Sequence, residues 1–250
     1  MDDDFTRRVL LSLDVENYSA RTDVEQERVQ HALADVMRDT AERAGFDRSR
    51  WSVQGTGDGE LSVLPADTPE KRVIDDLPRA LAESLAAHNG GAPHELKLRL
   101  RVAVHQGLVR ETPYGHAGAG VTMVSRILDS DPGRLALREC PAADLVLLLS
   151  PLLYADLVVQ GHTRLSPRDF REVPVVAKTF DSTAWLHVPG ADVRSLALDT
   201  VRRPAAGPEP GPGPASTPGA PLAPNGHNTT VHGGVHGHNV VIGVQNRVGR

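Results

Sequence analysis

Two aspartates in separate parts of the sequence have the residue type and the setting for metal-dependent phosphate chemistry. Asp14 stands inside the apolar run "LLSLDVENYS", and Asp58 stands in the glycine-rich stretch "GTGDGE". Paired carboxylates hold two Mg²⁺ or Mn²⁺ ions roughly 3.5–4 Å apart, which clamp the attacking and leaving oxygens of a phosphoryl displacement. Each aspartate alone also has a structural interpretation, as a strand-end cap or as part of a D-G hairpin turn. The metal interpretation therefore depends on whether the fold brings the two together.

The secondary structure predicted around the two aspartates indicates that the fold brings them together. "RVLLSLDV" is typical of a buried strand, residues 23–45 carry a helical apolar stripe that ends at Gly45, and "RWSVQGTGDGELSVLP" predicts two strands with a glycine-rich turn. Asp67-Thr-Pro-Glu70 predicts the capped start of a second helix. Residues 96–105 then alternate, which predicts a strand with one apolar and one mostly basic face.

The order β-α-β-β-α-β indicates an α+β fold, a ferredoxin-like split-βαβ sandwich. In that topology the first strand lies beside the third and antiparallel to it. Because neighbouring strands are only about 4.8 Å apart, Asp14 is expected beside Asp58.

Composition limits the classes of protein. The chain has 250 residues, with 40% hydrophobic and 4% aromatic residues and a net charge of −5, so a protein that coats nucleic acid is not expected. The single cysteine, Cys140, excludes a disulfide framework. The acidic N-terminus does not fit a signal peptide, and the most apolar region is too short to span a bilayer. We expect a cytoplasmic protein that binds neither membrane nor nucleic acid.

Composition also divides the chain into three segments. We assign residues 5–190 to a globular domain, residues 191–225 to a Pro/Gly/Ala-rich flexible linker, and residues 226–250 to a Gly/His/Val tail. Linker and tail are expected to be disordered outside any assembly.

Four stretches resemble the successive landmarks of a known family. "LLSLDVENYS", "GTGDGELSVLP", "LRLRVAVHQGLV" and "GAGVTMVSRILD" are similar to those of class III adenylate/guanylate (nucleotide) cyclase catalytic domains. The longer run from "GDGELSVLP" to "LAAHN" and the ending "VPVVAKTFDSTAWLHVPG" resemble a divergent actinobacterial cyclase-homology group. The resemblance covers residues 8–190 and implies the class III nucleotide cyclase fold.

The resemblance implies roles for particular residues. Cyclisation of an NTP substrate to a 3′,5′-cyclic nucleotide and pyrophosphate would use two Mg²⁺ or Mn²⁺ ions per site, in a homodimer that shares each site between two chains. The metal ligands implied are Asp14, Asp58 and the backbone of Val15. The implied catalytic residues are Arg126, which would stabilise the transition state, Thr122 and Lys178. The implied substrate-binding residues are Glu16, Asn17, Tyr18, Ser19, Gln54 and Gly57.

Three positions depart from the family's pattern. Thr122 stands where an asparagine usually orients the ribose, and Gln54 stands where a lysine usually reads the purine. The acidic partner of that lysine is missing from the loop near Gly115. Two hypotheses therefore remain open, a cyclase of unknown base preference and a catalytically silent signalling or adaptor module. His105 is a further, weaker site candidate.

The tail suggests a second source of function. "TTVHGGVHGHNVVIGVQNRV" combines β-branched residues, Asn and Gln with almost no charge and no proline, which is typical of cross-β stacking. It resembles bacterial amyloid-signalling motifs, which are similar to RHIM motifs. The expected partner is a protein with a similar motif, such as an NTPase receptor or effector; the alternative is a disordered tail. Its four histidines, in a flexible setting, do not predict a specific metal site.

Overall fold

A computed structural model describes residues 4–177 and 180–198. Lys178, most of the predicted linker and the whole predicted amyloid motif lie outside these residues. Within them the strands are β1 Thr6–Val15, β2 Ser52–Gly55, β3 Gly59–Val63, β4 Leu100–Thr112, β5 Gly115–Ala117, β6 Leu145–Leu149, β7 Arg171–Ala177 and β8 Phe180–His187. The main helices are α1 Asp23–Arg43, α2 Glu70–Gly91, α3 Ala119–Leu128 and α4 Asp131–Glu139. A short helical turn, Pro151–Leu153, runs into a π-helix, Tyr154–Val159.

The described strands form one mixed sheet. Their order is β2-β3-β1-β4-β6-β8-β7, with β5 paired to the outer part of β4. β1 is an interior strand that pairs antiparallel with both β3 and β4, while β4 and β6 run parallel. This confirms the predicted α+β fold and the predicted antiparallel pairing of the first and third strands.

Both faces of the sheet are covered, which explains the continuous apolar run of β1. Side chains alternate between the faces of a strand, so Leu11 and Leu13 pack beneath α1 and α2 while Leu10 packs with residues of α3 and α4. All three are at most 1% exposed. A strand buried on both faces has no side exposed to water, so a carboxylate such as Asp14 near its end is unexpected.

Helix α1 forms as the sequence predicts. Thr22 and Glu25 make a reciprocal capping box at its start, and Gly45 follows its end with φ 67°, a left-handed conformation that glycine adopts without steric cost. The face that packs on the sheet carries the buried residues Val29, Leu33, Val36, Met37, Thr40 and Ala41. The helix thereby covers one face of β1, the strand that carries Asp14.

The predicted cap of α2 is wrong. The helix begins at Glu70 with Pro69 as N-cap and no side-chain cap, and it continues through Pro78. Asp67 instead accepts two hydrogen bonds from Arg50 at 2.9 and 3.0 Å, and Glu70 accepts one from Gln106 on β4. Tertiary ion pairing has outcompeted the local cap.

Two further boundaries differ from expectation. β4 begins at Leu100, after a 3-10 turn at residues 94–96 and three residues without regular structure. Residues 191–198, which we assigned to the linker, lie against the domain core, with Val193 and Leu198 1% and 4% exposed. Two apolar side chains in this short stretch bury enough surface to hold it, so the folded domain extends at least to Leu198.

Glycine allows α3 to lie directly on β4. A Cβ atom added to Gly107 would lie 2.6 Å from the Cα of Gly120, and one added to Gly120 would lie 3.0 Å from the carbonyl carbon of Gly107. Backbone therefore packs on backbone at this point. No helix in the described part of the chain combines the length and apolar character needed to cross a membrane.

Candidate active site

Asp14 and Asp58 meet at one end of the sheet. Asp14 is the penultimate residue of β1 and stands opposite Gly59 of β3 on one side and Arg101 of β4 on the other. The next residue, Val15, donates its backbone N–H to the carbonyl of Asp58 at 2.9 Å. The topology thus brings together the two aspartates that the sequence singled out, and a backbone hydrogen bond ties Val15 to the turn that carries Asp58.

The turn that carries Asp58 depends on glycine. Gly57 has φ 93°, and Gly59 leaves no room for a side chain, since a Cβ atom there would lie 1.9 Å from the carbonyl oxygen of Leu13. Close approach of β3 to β1 therefore sets the position of Asp58 relative to Asp14.

Gly59→Ala should lower the free energy of unfolding by at least about 2 kcal/mol, because the new methyl group must push the backbone of β1 away. Gly55→Ala is the matched control, since a Cβ atom at Gly55 meets nothing within 4 Å. Urea denaturation of both variants measures the difference. Equal stability of the two variants would contradict the close approach.

A buried arginine that we did not predict as a site residue contacts Asp14. Arg101 is 7% exposed and Asp14 is 6% exposed, and an Nη2 hydrogen of Arg101 is donated to Asp14 Oδ2. Burial raises the pKa of Asp14 to about 6, against the lowering effect of Arg101 and with a further raising effect from Asp58. Burial also lowers the pKa of Arg101. Both shifts favour the neutral forms, so removal from water outweighs the attraction within the pair.

The remaining oxygen of Asp14 is available to a cation. Asp14 Oδ1 is buried and has no hydrogen-bond partner among the described residues, and half-buried Asp58 lies beside it. Residues 4–177 and 180–198 contain no group of three or more His, Cys, Asp or Glu residues that could hold a metal ion. Two carboxylates fit hard cations that keep waters and substrate phosphates as their other ligands, whereas they do not make a closed structural site. The residues present therefore fit Mg²⁺ or Mn²⁺ bound together with a substrate.

Mn²⁺ affinity should fall about tenfold between pH 7.5 and pH 5, because a cation binds the ionised form of Asp14 and most of that form is lost below its pKa of about 6. A carboxyl with the ordinary value of 3.8 would stay ionised throughout this range. Mn²⁺ titrations followed by electron paramagnetic resonance at several pH values measure the change. A constant affinity would contradict a role for Asp14 as a ligand.

The segment after β1 is held at the same edge of the sheet. Glu16 accepts a hydrogen bond from Arg99 at 2.5 Å, and Asn17 adopts a left-handed conformation with φ 56°. Gln30 of α1 donates to the hydroxyl of Tyr18 at 2.7 Å and to the carbonyl of Gly57 at 2.9 Å. Gln30 therefore ties the segment from Glu16 to Ser19 to the turn that carries Asp58. Asn17 and Ser19 are exposed.

Two of the predicted catalytic residues lie on helix α3 and not on the strands and turn that carry the aspartates. Thr122 and Arg126 are one helical turn apart and so share a face of α3, with Thr122 exposed and Arg126 half-buried. Thr122 Oγ1 donates to the carbonyl of Gly118 at 3.5 Å, within its own helix. The C-terminal end of α3 meets the aspartate site through Arg101, whose Nη1 lies 3.4 Å from the carbonyl oxygen of Leu128.

Gln54 lies on the edge strand β2, in the hairpin whose turn carries Asp58. Its amide fills the space over Gly115, where an added Cβ atom would lie 2.1 Å from Gln54 Oε1. Gln54 and Gly115, which the family resemblance places in the region that reads the base, are therefore adjacent. His105 is held neutral, because burial and the nearby Arg7 lower its pKa to about 4. A neutral imidazole offers no positive charge to a phosphate.

Sequence reasoning missed Arg101, Arg99 and Gln30 as site residues. The two arginines produced the basic face predicted for β4, and pairing this face with the acidic end of β1 would have identified both. Gln30 left no signal, because an exposed polar residue on an amphipathic helix is ordinary.

The fold matches that of known cyclase catalytic domains. An adenylate/guanylate cyclase/hydrolase from Silicibacter pomeroyi superposes with a TM-score of 0.53 and 15% identity, over 75% of this chain and 99% of that one. The guanylyl cyclase Cya2 superposes with a TM-score of 0.51 and 15% identity, over 79% of this chain and all of the other. The domain therefore has the α+β mixed-sheet fold of class III nucleotide cyclase catalytic domains. No protein-family model and no curated protein matches the sequence.

Proposed function

We propose that this domain is a class III-type nucleotide cyclase that converts an NTP to a 3′,5′-cyclic nucleotide and pyrophosphate in a cytoplasmic signalling role. The observation that carries the proposal is the meeting of Asp14 and Asp58 at the end of β1, with one buried carboxylate oxygen left without a partner. Support also comes from the fold, which other nucleotide cyclases share.

In the proposed reaction the ribose 3′-oxygen forms a bond to the α-phosphorus. The bond from that phosphorus to the oxygen bridging the β-phosphate breaks, pyrophosphate leaves, and the hydroxyl proton passes to solvent. Asp14, Asp58 and the backbone of Val15 would hold Mg²⁺ or Mn²⁺, two ions per site, which lower the cost of the negative charge on the reacting oxygens. The segment from Glu16 to Ser19 and the turn at Gly57 line the same edge and would bind the triphosphate.

The proposal includes a second chain that completes the site. We assign Thr122 and Arg126, which lie on α3, to the site that is formed with a partner in a homodimer, as the family resemblance implies. There Arg126 would offset the charge that develops on the α-phosphate. Lys178, which lies outside the described residues, keeps its predicted phosphate contact as part of this proposal. Gln54 would contact the base, with an amide that both donates and accepts hydrogen bonds.

A catalytically silent module is the alternative, and one observation favours it. Arg101 occupies Asp14 Oδ2, and burial favours the neutral form of that carboxyl, so the free protein is not poised as a fully ionised metal site. In this case the domain would bind a nucleotide without turning it over and would signal by oligomerising through its tail.

Incubation of the purified full-length chain with each of the four NTPs and Mn²⁺, followed by mass spectrometry, separates the two functions. The cyclase proposal expects a 3′,5′-cyclic product with at least one NTP. A folded, dimeric protein that binds an NTP and yields no cyclic product would establish the silent module.

A further inference from the structure

One side chain joins the two segments that meet at the aspartate end of the sheet. The side-chain amide of Gln30 on α1 has two hydrogens, and both are donated. One goes to the hydroxyl of Tyr18 at 2.7 Å, and the other goes to the backbone carbonyl of Gly57 at 2.9 Å. These acceptors are 12 and 27 residues away from Gln30 in the sequence. Gln30 is therefore shared between two loops that come together only in the folded protein.

The turn that carries Asp58 is flexible by composition. Three of the five residues from Gly55 to Gly59 are glycines, and glycine restricts the backbone less than any other residue. Such a turn can hold the Asp58 carboxylate in many positions relative to Asp14. Contacts from outside the turn are needed to select one of these positions.

Two carbonyl groups of the turn are held by backbone donors. The carbonyl of Asp58 accepts a hydrogen bond from the N–H of Val15 at 2.9 Å, which ties the turn to the end of β1. The carbonyl of Gly59 accepts one from the N–H of Thr56 at 3.0 Å, which closes the turn on itself. Neither bond restrains the peptide group that directly precedes Asp58.

Gln30 holds that preceding peptide group. Its carbonyl belongs to Gly57, whose φ of 93° lies in the left-handed region. Because a peptide group is planar, a hydrogen bond to this carbonyl restrains the rotation of the whole unit that joins Gly57 to Asp58. The orientation of this unit sets the direction in which the side chain of Asp58 leaves the backbone.

The second hydrogen bond of Gln30 fixes Gln30 itself. The ring of Tyr18 packs against the core on the side of the sheet that α1 covers, and Val29, the neighbour of Gln30 in the helix, is fully buried. Helix and ring are therefore firm supports, whereas the Gln30 side chain is exposed. The bond to the Tyr18 hydroxyl limits the rotamers of Gln30, so less conformational entropy is lost when it binds Gly57.

We propose that Gln30 is a positioning residue for the metal site, which holds the peptide before Asp58 so that its carboxylate already lies beside Asp14 when a cation binds. This inference rests on the proposed function, because it requires that the two aspartates bind metal ions. Gln30 touches neither the ion nor the substrate in this role. It raises affinity by preorganisation, and one hydrogen bond between neutral groups changes such an equilibrium about fivefold.

Gln30→Met tests the proposal in the full-length chain, because methionine keeps the length of the side chain and removes both donors. Gln26→Met is the matched control. Gln26 lies one turn earlier on α1 and also donates to a loop carbonyl, that of Arg21 at 3.0 Å, but it does not contact the turn. In Mn²⁺ titrations at pH 7.5 followed by electron paramagnetic resonance, Gln30→Met should weaken binding about fivefold or more, and Gln26→Met should leave it unchanged.

Amide hydrogen exchange gives a second readout that needs no metal ion. The N–H groups of Val15 and Thr56, whose acceptors lie in the turn, should exchange about fivefold faster in Gln30→Met than in the wild-type protein. The N–H group of Leu11, in the middle of β1, should exchange at the same rate in both. Faster exchange at all three positions would show a general loss of stability and would overturn the specific role of Gln30.

The metal titration separates failure of this inference from failure of the proposed function. Equal Mn²⁺ affinity of the wild-type protein and Gln30→Met would overturn the positioning role and leave the proposed function in place. Absence of Mn²⁺ binding by the wild-type protein would instead overturn the proposed metal site, and the positioning role together with it.

Discussion

Asp58→Asn should lower kcat/KM for cyclisation at least about a thousandfold if the domain is the cyclase we propose. The substitution keeps the size of the side chain but replaces one of the two carboxylates that would hold the metal ions. Stabilisation of charge at the reacting oxygens by bound cations contributes several kcal/mol to such reactions, and each 1.36 kcal/mol is tenfold in rate. Quantified cyclic product under single-turnover conditions measures the loss.

The fold should survive this substitution. The contact that ties the turn to β1 uses the backbone carbonyl of Asp58, which asparagine retains, and the side chain is only half-buried. Asp35→Asn on the exposed face of α1 is the matched control, with 69% of the Asp35 side chain accessible, and it should leave the rate unchanged. Full activity of Asp58→Asn would show that Asp58 has no role in catalysis.

Arg101→Met should lower the free energy of unfolding by about 4 kcal/mol at pH 8. Removing one partner of a buried ion pair leaves the other charge without compensation, which typically costs 3–5 kcal/mol. Here the charge left behind is Asp14, which is 6% exposed and close to a second carboxylate. Urea denaturation at fixed pH measures the loss.

The loss of unfolding free energy caused by Arg101→Met should grow with pH. The pKa of Asp14 is raised in the folded protein from 3.8 to about 6, so its contribution to stability is fully present below pH 3.8 and is lost as pH rises to about 6. Without Arg101 the folded pKa rises further, and the loss continues to higher pH. The stability gap between the two proteins is therefore small at pH 5, where Asp14 is mostly protonated in both, and large at pH 8.

Two variants separate charge from packing in this experiment. Arg134→Met removes a nearby cation whose side chain is 43% accessible, and it should change stability by no more than about 0.5 kcal/mol. Asp14→Asn combined with Arg101→Met should recover part of the lost stability, because no buried charge remains unpaired. A gap that is independent of pH, with no recovery in the double variant, would show that Arg101 acts through packing alone.

The central part of the fold can be predicted from the sequence, because short-range sequence patterns there all indicate the same structure. The apolar run that ends at Asp14, the capped α1 and the glycine-rich turn at Asp58 each have a short-range cause, and antiparallel pairing of the first and third strands follows from their order. The adjacency of the two aspartates could be predicted for the same reason.

The remainder of the site depends on contacts between distant residues. Alternation in residues 96–105 predicted that Arg99 and Arg101 point to the same side, but alternation does not reveal what covers that side. α3 and α4 cover it, and this is why Arg101 is buried against Asp14. The cap predicted at Asp67 was wrong for a similar reason, since Arg50, in the 3-10 turn before β2, binds the carboxylate of Asp67. Nor does composition show that residues 191–198 pack on the core.

The direct contact between Gly107 and Gly120 has a mechanical consequence. At this point no side chain separates α3 from β4, so there is none that could rearrange to let the helix slide along the strand. If each site is shared by two chains, as we propose, rotation of one domain against the other changes the distance from the aspartates of one chain to Arg126 of the other more readily than a shift of α3 does. A regulator of such an enzyme would then act on the angle between the two domains.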